Sequence, residues 1–77
     1  MEISFENILT ILKRSTEGVD FDQIRIESSL RESGFDSMDK ASAMLDIEET
    51  FGISIPDSDF ENLDTIGSII EYLKKKK

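Results

Sequence analysis

The residues best suited to chemistry in this chain lie in the run Gly34-Phe35-Asp36-Ser37-Met38-Asp39. The pattern predicts a helix beginning at Ser37. Asp36 can cap it, because its side-chain oxygen can accept a bond from the free backbone N–H of Met38 or Asp39. Asp39 can bond back to Asp36 as in a capping box. Ser37 then becomes the first helical residue, with its hydroxyl outward at the positive end of the helix dipole. A phosphate on that oxygen would face free N–H groups and a favourable field. Taken alone, an Asp-Ser pair at a helix start is an ordinary cap.

The flanks add to this. The helix continues into Leu45-Asp46-Ile47-Glu48-Glu49-Thr50-Phe51-Gly52-Ile53-Ser54-Ile55-Pro56, and Thr65-Ile66 follow. Together with Gly34 to Met38, these residues make the chain resemble the acyl carrier and peptidyl (aminoacyl) carrier family. That family shows Gly-x-Asp-Ser-Leu, then a helix ending Leu-Glu-Glu-x-Phe, then an Ile-Pro turn. The resemblance extends from about Leu30 to Leu73, and more loosely over the first helix.

The resemblance implies a covalent 4'-phosphopantetheine arm on Ser37, moved there from coenzyme A by a separate phosphopantetheinyl transferase. Asp36 and Met38 occupy the motif positions flanking that serine. The arm would hold acyl or aminoacyl groups as thioesters for loading and processing enzymes. Leu45, Glu48 and Glu49 match helix positions through which the family meets basic patches on those enzymes.

The chain also departs from the family pattern. Ser42 stands where a Glu is frequent, Ala43 replaces a larger aliphatic, and Ser33 replaces a leucine before the glycine. Lys40 puts a positive charge in the first turn. The spacing from Leu30 to Ser37 is nearer that of polyketide and peptide-synthesis carriers, and Asp-Ser-Met also occurs in carriers for D-alanine. These departures point to a specialised pathway (polyketide, peptide, aminoacyl or modified fatty acid). The alternatives are a housekeeping fatty-acid carrier and an unmodified acidic helical adaptor.

Composition narrows the function classes. The chain has 77 residues, enough for one small domain over 1–77, and no cysteine or histidine. Disulfides, thiolate zinc sites, cysteine nucleophiles and Ser-His machinery are excluded, so a self-sufficient enzyme is not expected, in keeping with the carrier that the resemblance implies. The net charge is −8; without the four terminal lysines, 5 basic residues face 17 acidic ones, a balance of −12. Nucleic acid is a disfavoured partner, since binding its backbone requires Lys and Arg to neutralise phosphates. Partners with basic patches are favoured. Seven acids lie in or beside the stretch from Ser37 to Pro56 (Asp36, Asp39, Asp46, Glu48, Glu49, Asp57 and Asp59) against Lys40 alone.

Asp20-x-Asp22 and Asp57-x-Asp59 begin acidic spacings, but Arg25 and Asn62 stand where a calcium loop needs glycine. No metal site is expected. With no apolar run long enough to cross a bilayer and no signal-peptide pattern, the expectation is a cytoplasmic monomer without stable membrane insertion.

The elements that must position the serine read as all-α: a small four-helix bundle of three main helices and a short third one. Helix I spans Met1 to about Ser15, with Ser4 as N-cap and Phe5, Ile8, Leu9 and Leu12 as its buried stripe. Gly18 is its expected left-handed cap. A long loop, 19–36, is pinned by Val19, Phe21, Ile24, Ile26 and Leu30. Loops of this length inside a small domain are commonly functional. Helix II spans Ser37 to Phe51 and carries two apolar sectors. Ala43, Met44, Ile47 and Phe51 form one; Met38, Ala41 and Leu45 form the other, with Glu48 at its end. Either three neighbouring helices bury both, or the second stays exposed as an acid-rimmed contact strip of the kind found at transient interfaces. Ser42, Asp46, Glu49 and Asp39 fall on the wet face. Helix III spans about Ser58 to Asn62, capped by Asp57 and buried through Phe60. Helix IV spans Ile66 to Leu73, capped by Thr65, and Lys74 to Lys77 form a flexible tail. Gly67 either weakens helix IV or allows close packing.

Overall fold

The structure, a computed structural model, describes residues 2–76. Met1 and Lys77, the ends of the expected helix I and lysine tail, lie outside them, but Glu2 and Ile3 are described and not helical, so helix I starts at the Ser4 cap rather than at Met1. The first helix, α1, spans Phe5–Ser15, and the Ser4 hydroxyl accepts from Asn7 N at 3.2 Å as its N-cap. Ile8, Ile11 and Leu12 are buried completely, whereas Phe5 and Leu9 are half-buried. The buried stripe is therefore centred further round the helix than Phe5, Ile8, Leu9 and Leu12 predict. The reason is that two helices, α2 (Ser37–Phe51) and α4 (Ile66–Lys76), both pack on α1 and cover Ile11 as well. Gly18 does not cap α1. Thr16 ends it in an extended conformation, and Gly18 (φ 80°) turns the chain two residues later.

The connection from α1 to α2 contains one unexpected element, a single 3₁₀ turn at Phe21–Gln23, capped by Asp20. Ile24 and Leu30 are buried, while Val19 and Phe21 pack at the edge of the core. Ile26 departs from expectation, being 46 % exposed. Its backbone does the pinning instead: Ile26 O accepts from Gly67 N at 2.9 Å. A Cβ at Gly67 would lie 3.2 Å from that oxygen, so the glycine serves close packing between loop and helix.

In α2, Ala43, Met44, Ile47 and Phe51 face the core, as the first apolar sector requires. Gly52 (φ 68°) ends the helix in the left-handed region and donates to Glu48 O at 2.8 Å. The short α3 spans Asp57–Phe60, one residue earlier than predicted at its start and two at its end. Pro56 holds the N-cap position, and Asp57 is the first helical residue rather than a side-chain cap. Phe60 is only half-buried; Leu63, just beyond, provides the buried anchor at 4 % exposure. Tyr72 Oη donates to Asp59 Oδ2 at 2.7 Å and ties α3 to α4; this bond to a carboxylate pushes the Tyr72 phenol up to about 12.

Thr65 and Ser68 cap α4 reciprocally: Ser68 N donates to Thr65 Oγ1 at 3.0 Å and Thr65 N to Ser68 Oγ at 3.2 Å. Ile66, Ile69 and Leu73 are buried. The helix does not stop at Leu73 but continues through Lys76. Lysines suit the negative end of a helix, and Lys76 lies 5.4 Å from the Tyr72 ring centroid. All regular structure among the described residues is helical, and no helix there is long and apolar enough to cross a membrane.

Asp46 is not a free member of the wet face. Arg14 donates to both its oxygens, Nε to Oδ2 at 2.8 Å and Nη2 to Oδ1 at 2.6 Å, and Ser15 Oγ adds a bond at 2.9 Å. The Arg14 fork clamps α1 to α2 and holds the Asp46 carboxyl below its ordinary pKa. A carboxyl depressed in the folded state adds stability above its unfolded pKa of about 3.9 and loses it as pH falls through the lower folded value. Asp46→Asn is therefore expected to lower the urea midpoint at pH 7, with the gap from wild type narrowing as pH falls below about 4. A gap of equal size at both ends of that titration would assign the loss to packing.

Candidate functional site

The site is assembled by the end of the loop. Leu30, completely buried, anchors a tight turn: Ser33 N donates to Ser29 O at 3.0 Å, and Phe35 N to Leu30 O at 3.0 Å. Gly34 takes φ 112°, a conformation that side chains beyond glycine rarely adopt. This reversal drives Phe35 into the core, where it is 2 % exposed and meets Phe21 edge-on at 6.1 Å.

The next residue starts α2. Asp36 Oδ1 accepts from Asp39 N at 2.8 Å, and Asp39 Oδ2 accepts from Asp36 N at 3.3 Å, which completes the predicted capping box. Ser37 is the first helical residue; it is exposed and takes no part in that box.

The second apolar sector of α2 stays open. Met38 is 79 % exposed, Leu45 57 % exposed, and Ala41 half-buried between them. Of the two acids beyond, Glu49 is exposed. Glu48 is half-buried, and its Oε2 accepts from Ile55 N at 2.9 Å. Glu48 thus shapes the turn after α2 as well as carrying charge at the end of the strip.

Sequence reasoning missed the other side of the serine. A cleft of about 460 Å³ opens there, lined beside Ser37 by Arg31, Phe35, Asp36, Lys40, Phe60 and Glu61. Lys40 has a readable signal, since it lies three residues from Ser37 and shares its helix face. Arg31, Phe60 and Glu61 have none, because only the tertiary fold brings them to Ser37. Asp64 organises this side. Its Oδ1 accepts from Arg31 N at 3.2 Å and lies 3.5 Å from Lys40 Nζ; Ser29 Oγ bonds its other oxygen; and Leu30 N donates to Asp64 O at 2.7 Å. Burial pushes the Asp64 carboxyl up, but the Ser29 and Arg31 bonds and the Lys40 charge outweigh it, so its pKa lies below the ordinary value. Lys40 therefore has a counter-charge within the protein.

These residues fit a phosphate-linked group. An exposed hydroxyl stands at a helix N-terminus, where backbone N–H groups and the dipole favour an anion, with two cationic side chains in the adjoining cleft. Comparison with known proteins shows the family. Residues 6–73 match the family model described as "Phosphopantetheine attachment site". The chain is also similar to the acyl carrier protein of Thermotoga maritima: 34 % identical over 73 residues, covering 94 % of this chain and 89 % of that protein. Family members bear 4'-phosphopantetheine covalently and interact with phosphopantetheinyl transferase and acyl-processing enzymes. This chain belongs to the phosphopantetheine-attachment family of acyl carrier proteins, and is a carrier with that covalent cofactor rather than a catalyst.

Proposed function

We propose that Ser37 bears the arm and that the chain carries acyl or aminoacyl groups for a specialised pathway. The observation that carries this reading is the exposed Ser37 hydroxyl at the first position of α2, with the capping work done by Asp36 and Asp39. Asp36 sets the start of the helix, and Ser37 is left available to another enzyme. Transfer from coenzyme A forms a bond from Ser37 Oγ to phosphorus and breaks the diphosphate P–O bond. Adenosine 3',5'-bisphosphate leaves, and the transferase takes the serine proton. No base is required within this chain. The bound arm supplies a terminal thiol that holds cargo as a thioester.

Met38, Ala41, Leu45, Glu48 and Glu49 form the surface read by the partner enzymes. Support comes from the exposure of Met38 and Leu45 beside acidic residues, an apolar centre with a charged rim. The acids steer encounter with basic patches. The specialised pathway is supported by Ser33, Lys40, Ser42 and Ala43 and by the short spacing from Leu30 to Ser37.

Incubation with coenzyme A, magnesium and a broad-specificity transferase should add one phosphopantetheinyl group by intact mass, and none to Ser37→Ala. No gain on folded wild type would point to an unmodified acidic adaptor. Met38→Ala and Leu45→Ala should leave the urea midpoint within the small range of surface substitutions but slow transfer severalfold, as should Glu49→Lys. An unchanged transfer rate in all three would remove the strip from the interface. A general fatty-acid synthase should load and elongate on the holo-protein much less efficiently than on its own carrier; equal efficiency would assign the chain to housekeeping synthesis.

A further inference from the structure

The cleft beside Ser37 is unusual for the charge of this chain. Outside the terminal lysines there are five basic residues: Lys13, Arg14, Arg25, Arg31 and Lys40. Two of the five, Arg31 and Lys40, line this one cleft. Arg14 is committed to Asp46, and Lys40 is balanced by Asp64 at 3.5 Å. Arg31 contributes its backbone N–H to Asp64, but its guanidinium has no carboxylate within ion-pair distance among the described residues. It is a cation without a fixed partner, beside a serine that sits between Asp36 and Asp39.

We propose that this cleft grips the first part of the attached arm, with Arg31 pairing with its phosphodiester and the half-buried Phe60 lying against the branched dimethyl carbon that follows. This rests on attachment at Ser37. The chemistry of the arm matches the residue types that line the cleft. Next to the serine oxygen comes a single negative charge, then a compact apolar branch, then two amides and the thiol. The cleft is lined by an unpaired cation, Arg31, and by the apolar ring of Phe60. Asp36 and Glu61 also line the cleft and oppose an added anion, so a cation without a carboxylate partner is needed there. Arg suits this role, because its planar fork pairs with two phosphate oxygens at once. At about 460 Å³ the cleft is within the usual range of small-molecule sites, about 300–1,000 Å³, and it needs to admit only the head of the arm. The thiol end stays outside, free to reach partner enzymes.

The test uses full-length protein loaded from coenzyme A that is ¹⁵N-labelled in the pantetheine alone. Only the two arm amides are then visible, and intact mass reports attachment separately. In wild type, the amide nearer the phosphate should show the higher heteronuclear NOE, and the one nearer the thiol a value typical of a free chain. Arg31→Gln should bring the first down to the second. Arg31→Lys should restore part of the difference, and raised salt should reduce it. Equal and low NOE values for both amides in wild type would overturn the grip, as would a difference that survives Arg31→Gln. Absence of mass gain would instead refute attachment at Ser37, and the grip with it.

Discussion

Burial of Leu30 and Phe35 is the constraint on which the site depends. They bracket the turn that ends at Gly34, and both are essentially without solvent contact. Burying each contributes roughly 1.5–3 kcal/mol, which is a large share of what a domain this small can muster. The backbone supports them: Leu30 N–H donates to Asp64 O, and Phe35 N–H to Leu30 O. With both ends of the turn fixed, Asp36 has one place to go, and α2 must start at Ser37. Weakening that anchor would leave the capping box intact in principle but without a defined position on the bundle.

Asp64 links this anchor to electrostatics. One residue receives the Leu30 N–H on its carbonyl, the Arg31 N–H and Ser29 hydroxyl on its carboxylate, and the Lys40 ammonium nearby. Loop, α2 and the approach to α4 thus converge on one side chain. Lys40, which looks misplaced in the first turn of a helix, is explained by this pairing. The rest of the acidic surface is not uniform either. Asp46 belongs to a clamp between α1 and α2, and Glu48 holds the turn at Ile55. Glu49 is the acid of this face left facing solvent without such a task. A count of acids along α2 therefore overstates how much charge is available to partners.

The two sides of Ser37 differ in character. One side continues along α2 as Met38, Ala41 and Leu45, apolar and open. The other descends into a cleft with cations and aromatic rings. A carrier must be recognised by enzymes and must also present a tether, and those tasks ask for different surfaces. A helix that starts at Ser37, the proposed attachment residue, separates them, because consecutive residues there point about 100° apart.

Much of this was legible in the amino-acid order, for a reason rooted in range. Caps and helix periods depend on residues three or four apart. The Asp36–Asp39 box, the Ser37–Phe51 span, Gly52 as terminator and the Ile66–Ile69–Leu73 stripe accordingly follow from local pattern. So does the carrier family, whose motif is compact in sequence. Expectations failed where the competing interaction came from afar. Ile11 is buried because α2 and α4 both pack on α1, and the loop at Ile26 is pinned by its carbonyl, which accepts from Gly67, rather than by its side chain; the run of α4 past Leu73, by contrast, is a local effect of its terminal lysines. Whether Met38 and Leu45 were buried or open was also undecidable from the sequence, because it turns on how far the short α3 and its neighbours reach over α2. Arg31, Phe60 and Asp64 are scattered across 34 positions, and no short-range pattern joins them. The sequence alone determined the family, the all-helical class and where α2 begins. Only the tertiary structure decided what stands beside that serine, because burial and cross-chain pairing are properties of the packed whole.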